Sequence, residues 1–198
     1  MLDLWIQLTG EWHSSRLDEV IEQFSRAIEL DPNVSRAYRG LGQAMILKGD
    51  VAQALTVSRR GFELGPSEPD NLLFYGIALF ESGELAEATK KIEQALALHP
   101  LRPSYYSYFY AIILWANERF EEALMQLETV PGVEVYRALA LVGLGRVAEA
   151  KDQIAKYRAR PSRPLLMPPH PPALARRFLR DSRIAGWRPS LAAQKKAV

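Results

Sequence analysis

The chain has no cysteine. That excludes disulfides, thiolate zinc sites and cysteine nucleophiles, and it leaves the redox compartment unmarked. Its three histidines, His13, His99 and His170, lie far apart, without the HExxH spacing that holds a catalytic zinc. Neither a metal site nor a cofactor is indicated. There is no GxSxG and no phosphate-binding loop, and the glycines of "GLGR", Gly143 and Gly145, sit where a tight bend between helices is explanation enough. Carboxylate pairs such as Glu121 and Glu122 fall at helix starts, where the positive end of the helix dipole favours them. The residues therefore point away from an enzyme. Long apolar runs are missing too: the longest uncharged stretch, Pro103 to Asn117, is rich in Tyr and Ser and too short to span a bilayer. The start, "MLDLWIQLTGEWHSSR", lacks the basic, apolar and small-residue regions of a secretory signal, so a cytoplasmic protein is expected.

What is present is an ordinary globular composition of 198 residues, 48% hydrophobic and 24% charged. That suits one sizeable domain or a repeat array of similar mass. The net charge of +2 hides an uneven distribution. Residues 151–198 hold twelve Lys or Arg against Asp152 and Asp181, net +10, which leaves −8 on residues 1–150. An acidic body with a basic tail follows.

Three segments end alike, at two equal intervals of 34: "AIELDP" at Pro32, "GFELGP" at Pro66 and "ALALHP" at Pro100. Counting repeats from Met1, Ser35 and Pro69, position 8 holds Leu8, Gly42 and Gly76, and position 20 holds Val20, Ala54 and Ala88. Position 24 holds Phe24, Ser58 and Ile92, and position 27 holds Ala27, Gly61 and Ala95. Small residues at positions 8 and 20 let two helices approach closely, and the terminal proline stops the second helix. The turns recur as well, in "LKGDVAQAL", "ESGELAEAT", "ANERFEEAL" and "GLGRVAEAK". Their alanines, Ala54, Ala88, Ala123 and Ala150, have spacings of 34, 35 and 27. A fourth repeat thus carries one extra residue, and a fifth follows a helix cut short near Thr129 by Val130-Pro131-Gly132.

The tail differs in kind. "RARPSRPLLMPPHPP" has six prolines in fifteen residues and reads as an extended connector. "PALARRFLRDSRIAGW" reads as one last helix, with Leu174, Phe178, Leu179 and Ile184 on its apolar stripe and Gly186 as its stop. The organisation expected is a repeat array over 1–160, a connector over 161–172, a helix over 173–187 and a frayed end over 188–198.

On this periodicity the chain resembles a tetratricopeptide repeat (TPR) protein. "DLWIQLTGEWHSSRLDEVIEQFSRAIELDP" with "LVGLGRVAEA" and "FLRDSRIAGW" further resembles the repeat-containing C-terminal regions of bacterial class III adenylate cyclases and of winged-helix transcriptional regulators. The resemblance implies an all-α fold: a right-handed superhelix of stacked antiparallel helix pairs, closed by a capping helix. It implies an interaction or regulatory module, without the catalytic or DNA-binding domain of those proteins.

In the family the first helix of each pair lines the concave side, with binding residues at repeat positions 2, 5, 6, 9, 12 and 13. Carried onto this sequence, the fourth repeat offers Tyr105, Tyr108, Phe109, Ile112 and Trp115, whereas Tyr106, Tyr110, Ala111 and Leu114 take packing positions. The third repeat adds Leu73, Phe74, Ile77 and Phe80, and the second adds Arg36, Arg39 and Gln43 as a basic lip. An aromatic groove for a peptide of a partner protein is one outcome. Packing of the same stripe into the core is another. A third is self-binding, in which the proline-rich segment or the following helix folds back into the groove. The chaperone-binding carboxylate clamp of such repeats is not supported, since the two best frames offer Trp5, Thr9 and Gly40, or Arg39, Gln43 and Phe74. Arg176, Arg177, Arg180 and Arg183 lie mostly along one side of the last helix. A solvated face is the preferred reading of them, ahead of contact with nucleic acid or an anionic membrane. Homo-oligomerisation through an exposed apolar end is a further option.

Overall fold

The computed structural model describes residues 14–160 and 171–188, with side chains from Leu17 onward. The first helix expected in the first repeat, the stretch 161–170 and the end 189–198 lie outside these residues. Among those described there are ten α-helices and no strand. They are α1 (Ser14–Leu30), α2 (Ser35–Lys48), α3 (Val51–Leu64), α4 (Pro69–Ser82), α5 (Leu85–Leu98), α6 (Ser104–Ala116), α7 (Phe120–Leu127), α8 (Glu134–Gly143), α9 (Val147–Arg158) and α10 (Pro172–Ile184). They form two compact units, residues 14–102 and residues 103–160 with 171–188.

In the first unit α2 pairs with α3 and α4 with α5, while α1 packs on α2 and α2 reaches α4. The small residues bring the paired helices together. A Cβ on Gly76 would stand 2.7 Å from Ile92 Cγ1 and 3.2 Å from the Ala88 carbonyl. Ala54 and Ala88 are fully buried, as the repeat register requires. Asp50 caps α3 by accepting from the Gln53 amide at 3.1 Å.

In the second unit α6 pairs with α7, α8 with α9, α7 also meets α8, and α10 lies on α8. Ala111, Ala123 and Ala150 are again buried at the crossings. α7 stops at Leu127, two residues before the expected Thr129. Its last carbonyls are taken by Arg137 of α8, which donates to the oxygens of Leu127, Glu128 at 3.0 Å and Val130 at 3.2 Å. α10 starts one residue earlier than expected and ends at Ile184, followed by Gly186 at φ 82°.

Among the described residues, three of the four turns within helix pairs contain a glycine in the left-handed region: Gly49 at φ 90°, Gly83 at 94° and Gly145 at 74°. The fourth places Glu118 there, at φ 62°. Its backbone hydrogen bonding nonetheless matches the others. The amide after the left-handed residue reaches back five residues in every case: Asp50 to Met45 at 3.0 Å, Glu84 to Leu79 at 2.9 Å, Arg119 to Leu114 at 2.9 Å and Arg146 to Leu141 at 2.9 Å.

Candidate functional site

Of the groove residues expected in the first unit, Arg36 is exposed and Gln43 half-buried. Leu73, Phe74, Ile77 and Phe80 are buried instead of lining an open face. The reason is α4 itself: nine of its 14 residues are buried, so both of its apolar stripes are covered. Arg39 is drawn inward as well. It pairs with Asp70 at 3.1 Å and lies 5.9 Å above the Phe74 ring, so it forms no lip. The notch bounded by Arg39, Ser58, Phe62, Asn71 and Phe74 has no room for a water molecule.

In the second unit Tyr105 and Tyr108 are half-buried, whereas Phe109, Ile112 and Trp115 are buried with the packing residues Tyr106, Tyr110, Ala111 and Leu114. Tyr108 meets Phe109 edge-on at 5.1 Å and Tyr136 of α8 at 5.4 Å. Trp115 is covered by the last helix. Phe178 of α10 stands edge-on to Trp115 at 6.4 Å, beside Tyr136 at 6.3 Å and Trp187 at 6.0 Å. Trp187 in turn rests on Tyr157 at 5.9 Å, and Arg158 donates to the Gly186 carbonyl at 2.6 Å.

The arginines of α10 divide. Arg176, Arg180 and Arg183 are exposed, Arg180 with 67% of its side chain in solvent. Arg177 turns inward, with its side chain only 14% exposed. Its guanidinium lies 4.7 Å from the Trp115 ring and 5.2 Å from the Phe120 ring. It donates to the carbonyls of Trp115 at 2.9 Å and Ala116 at 3.2 Å, the end of α6, where a cation also complements the helix dipole. It pairs with Glu118 at 3.3 Å and with buried Asp181 at 3.7 Å, and Arg180 reaches Asp181 at 2.9 Å. Sequence reasoning missed Phe120, Glu118, Tyr136 and Asp181 as members of this cluster. One signal was available: glutamate where the sibling turns have glycine.

Elsewhere the charges serve the turns. Arg119 grips Glu122 with two bonds of 2.7 Å, and Arg146 grips Glu149 at 2.7 and 2.6 Å. These hydrogen bonds hold both carboxyls below the ordinary carboxylate range. Among the described residues no cluster of His, Asp and Glu could hold a metal, and no helix is long and apolar enough to cross a membrane.

Paired helices with small residues at the crossings, recurring along the chain at intervals of 34, 35 and 27 residues, define a helical-repeat protein. The TPR family model matches residues 11–69 and 75–130, and the chain belongs to the tetratricopeptide repeat family. Members of this family generally mediate protein–protein interaction and are typically non-catalytic scaffolds. Human tetratricopeptide repeat protein 13 is 31% identical over 81 residues, which span 41% of this chain and 9% of that protein. Among solved structures, a thermophilic TPR protein of Thermus thermophilus superposes with a TM-score of 0.60 at 20% identity, over 85% of this chain and 91% of that one. YrrB, a TPR protein with an unusual peptide-binding site, gives 0.54 at 19% identity, over 89% and 91%. The fold class is thus all-α, of the TPR solenoid type.

Proposed function

We propose that the protein is an interaction scaffold whose second unit offers, on α6 and α8, an aromatic face for a short amphipathic helix of a partner protein. The observation that carries this reading is α10: Phe178 of this amphipathic helix lies against Trp115 and Tyr136. A surface that takes one such helix has the shape and chemistry for another. Half-buried Tyr105 and Tyr108 continue the face beyond α10, with large rigid rings that carry a polar handle. The peptide-binding site named for YrrB supports the reading at the level of fold. Its finer form, a regulatory module, is supported by the resemblance to the repeat regions of class III adenylate cyclases and winged-helix regulators.

The test is retention of host partners by the full chain and by its Tyr105→Ala and Tyr108→Ala variants, with helix content followed by circular dichroism. Partner retention drops in the variants while helix content stays. Retention that survives both substitutions rejects this face, and collapse of helix content assigns the tyrosines to the core.

A second reading rests on the basic surface of α10, where Arg176, Arg180 and Arg183 keep their charges at the solvent side. They suit an anionic surface, and binding of duplex DNA or anionic vesicles that falls steeply with salt would favour it. No binding at low salt removes it.

A further inference from the structure

The surroundings of Arg177 are built largely from parts that α10 does not supply. Two rings flank the guanidinium, Trp115 at 4.7 Å and Phe120 at 5.2 Å. Two carbonyls accept from it, those of Trp115 and Ala116. The Glu118 carboxylate stands 3.3 Å away. All of these belong to α6, α7 and the turn between them. Planar stacking, carbonyl acceptors and a carboxylate are together the chemistry that recognises a guanidinium, and lysine would satisfy them poorly.

Glu118 is the informative member. The sibling turns use glycine for the left-handed conformation, and the fourth makes the same backbone bonds with a residue that disfavours it. Nothing within the turn calls for a glutamate. What the side chain meets is Arg177, and it remains 73% exposed, open to an incoming group. α10 brings Arg177, Phe178 and, one turn on, Asp181, which shares the arginine's charge inside the cluster. α9 and α10 are separate helices, joined through the chain between Arg158 and Pro172.

We infer that this cluster is a guanidinium-binding site, that α10 is its resident, and that its external ligand is an arginine-bearing amphipathic helix of a partner protein that displaces α10. The ligand's pattern is that of α10: arginine, then an aromatic residue, with a carboxylate four positions after the arginine. This rests on the scaffold reading above and names the ligand class and the regulation of the same face. The filled site holds the scaffold closed until a competing helix with the same arginine arrives.

The probe is a fluorescein-labelled peptide of residues 171–188, with an Arg177→Ala version of it, added to the full chain. Wild type binds it weakly because the site is filled. The full chain carrying Arg177→Ala binds at least about ten-fold tighter, the altered peptide loses that gain, and so does a full chain carrying both Arg177→Ala and Glu118→Gly. Equal binding of the two peptides, or equal binding by wild type and Arg177→Ala, overturns the site. Should Arg177→Ala fail to fold, Glu118→Gly in the otherwise native chain decides. That variant raises hydrogen exchange of the α10 amides at least about ten-fold while α6 and α8 stay protected, and unchanged α10 protection overturns the proposal. A wild-type dimer that disappears with Arg177→Ala would assign the site to a second copy's α10 and overturn the partner-helix assignment. Peptide binding intact beside partner retention indifferent to Tyr105 and Tyr108 rejects the tyrosine-bearing face alone; the opposite pair rejects the guanidinium site alone.

Discussion

Gly76 and Gly83, in α4 and in the turn that follows it, are each glycine for a different reason. Gly76 sits where α4 meets α5, with Ile92 Cγ1 at 2.7 Å and the Ala88 carbonyl at 3.2 Å from any added Cβ. Gly83 has nothing within 4 Å of such an atom, but its φ is 94°. Alanine at Gly76 overpacks a crossing whose nearest backbone atom cannot swing away, so a loss of about 1–3 kcal/mol is expected. At Gly83 only backbone strain acts, at about 1–2 kcal/mol. Urea unfolding of the two variants measures both losses, and amide exchange separates the mechanisms. Repacking at position 76 slackens the α4–α5 crossing and raises amide exchange in both helices, whereas the Gly83 substitution leaves those helices packed. Equal exchange in both variants would contradict this assignment. Glu118 belongs to the same comparison, since it carries the strain that glycine avoids at Gly83 and gains the ion pair that glycine lacks.

At the scale of elements, α7 shows how a short helix is held. It has eight residues, ends before a Pro-Gly turn, and has its last carbonyls bound by Arg137 from the next helix. Arg137→Met keeps much of the aliphatic stem but takes the side-chain donor from the partly buried carbonyls of Leu127 and Val130, of which Leu127 still accepts from the Val130 amide at 3.2 Å. A loss of about 1–3 kcal/mol is expected in denaturant unfolding, with amide exchange rising first in α7. Stability unchanged by the substitution would show that water serves those carbonyls equally well. The helices themselves were legible in the sequence because the same small residues and turns recur four times, at spacings of 34, 35 and 27, so each boundary is stated several times. The division of faces was less legible. On α4 and α6 both stripes are apolar, and periodicity cannot say which stripe has a neighbour: Phe74 and Trp115 look as available as Tyr108 until the covering parts are seen. Arg177 was hidden more deeply, because its partners at Trp115 and Glu118 lie far off along the chain and no local pattern links them. The mismatch of Glu118 with its sibling glycines was the one trace left in the chain.

Over the whole molecule the balance of charge sets the response to acid. Glu122 and Glu149 are held below the ordinary carboxylate range by hydrogen bonds from Arg119 and Arg146. A carboxyl with a lowered folded value adds stability that is complete above its unfolded value and is lost as pH falls through the folded one. Both pairs are exposed, so their share of the loss is small. The larger effect is the neutralisation of all 23 carboxylates, which leaves 25 Lys and Arg unopposed on a chain whose net charge at pH 7 is only +2. Self-repulsion then expands the fold, and added salt screens it. Below about pH 3, well under the ordinary carboxylate values, low-salt solutions should show loss of helix content and a larger radius, and raising the salt should recover compactness. Because residues 151–198 already carry net +10 while the remainder is acidic, that remainder undergoes the greater change of charge. Hydrogen exchange during acidification should therefore rise in α1–α8, which residues 1–150 contain, through lost charge balance. Acid unfolding that ignores salt would refute this electrostatic account.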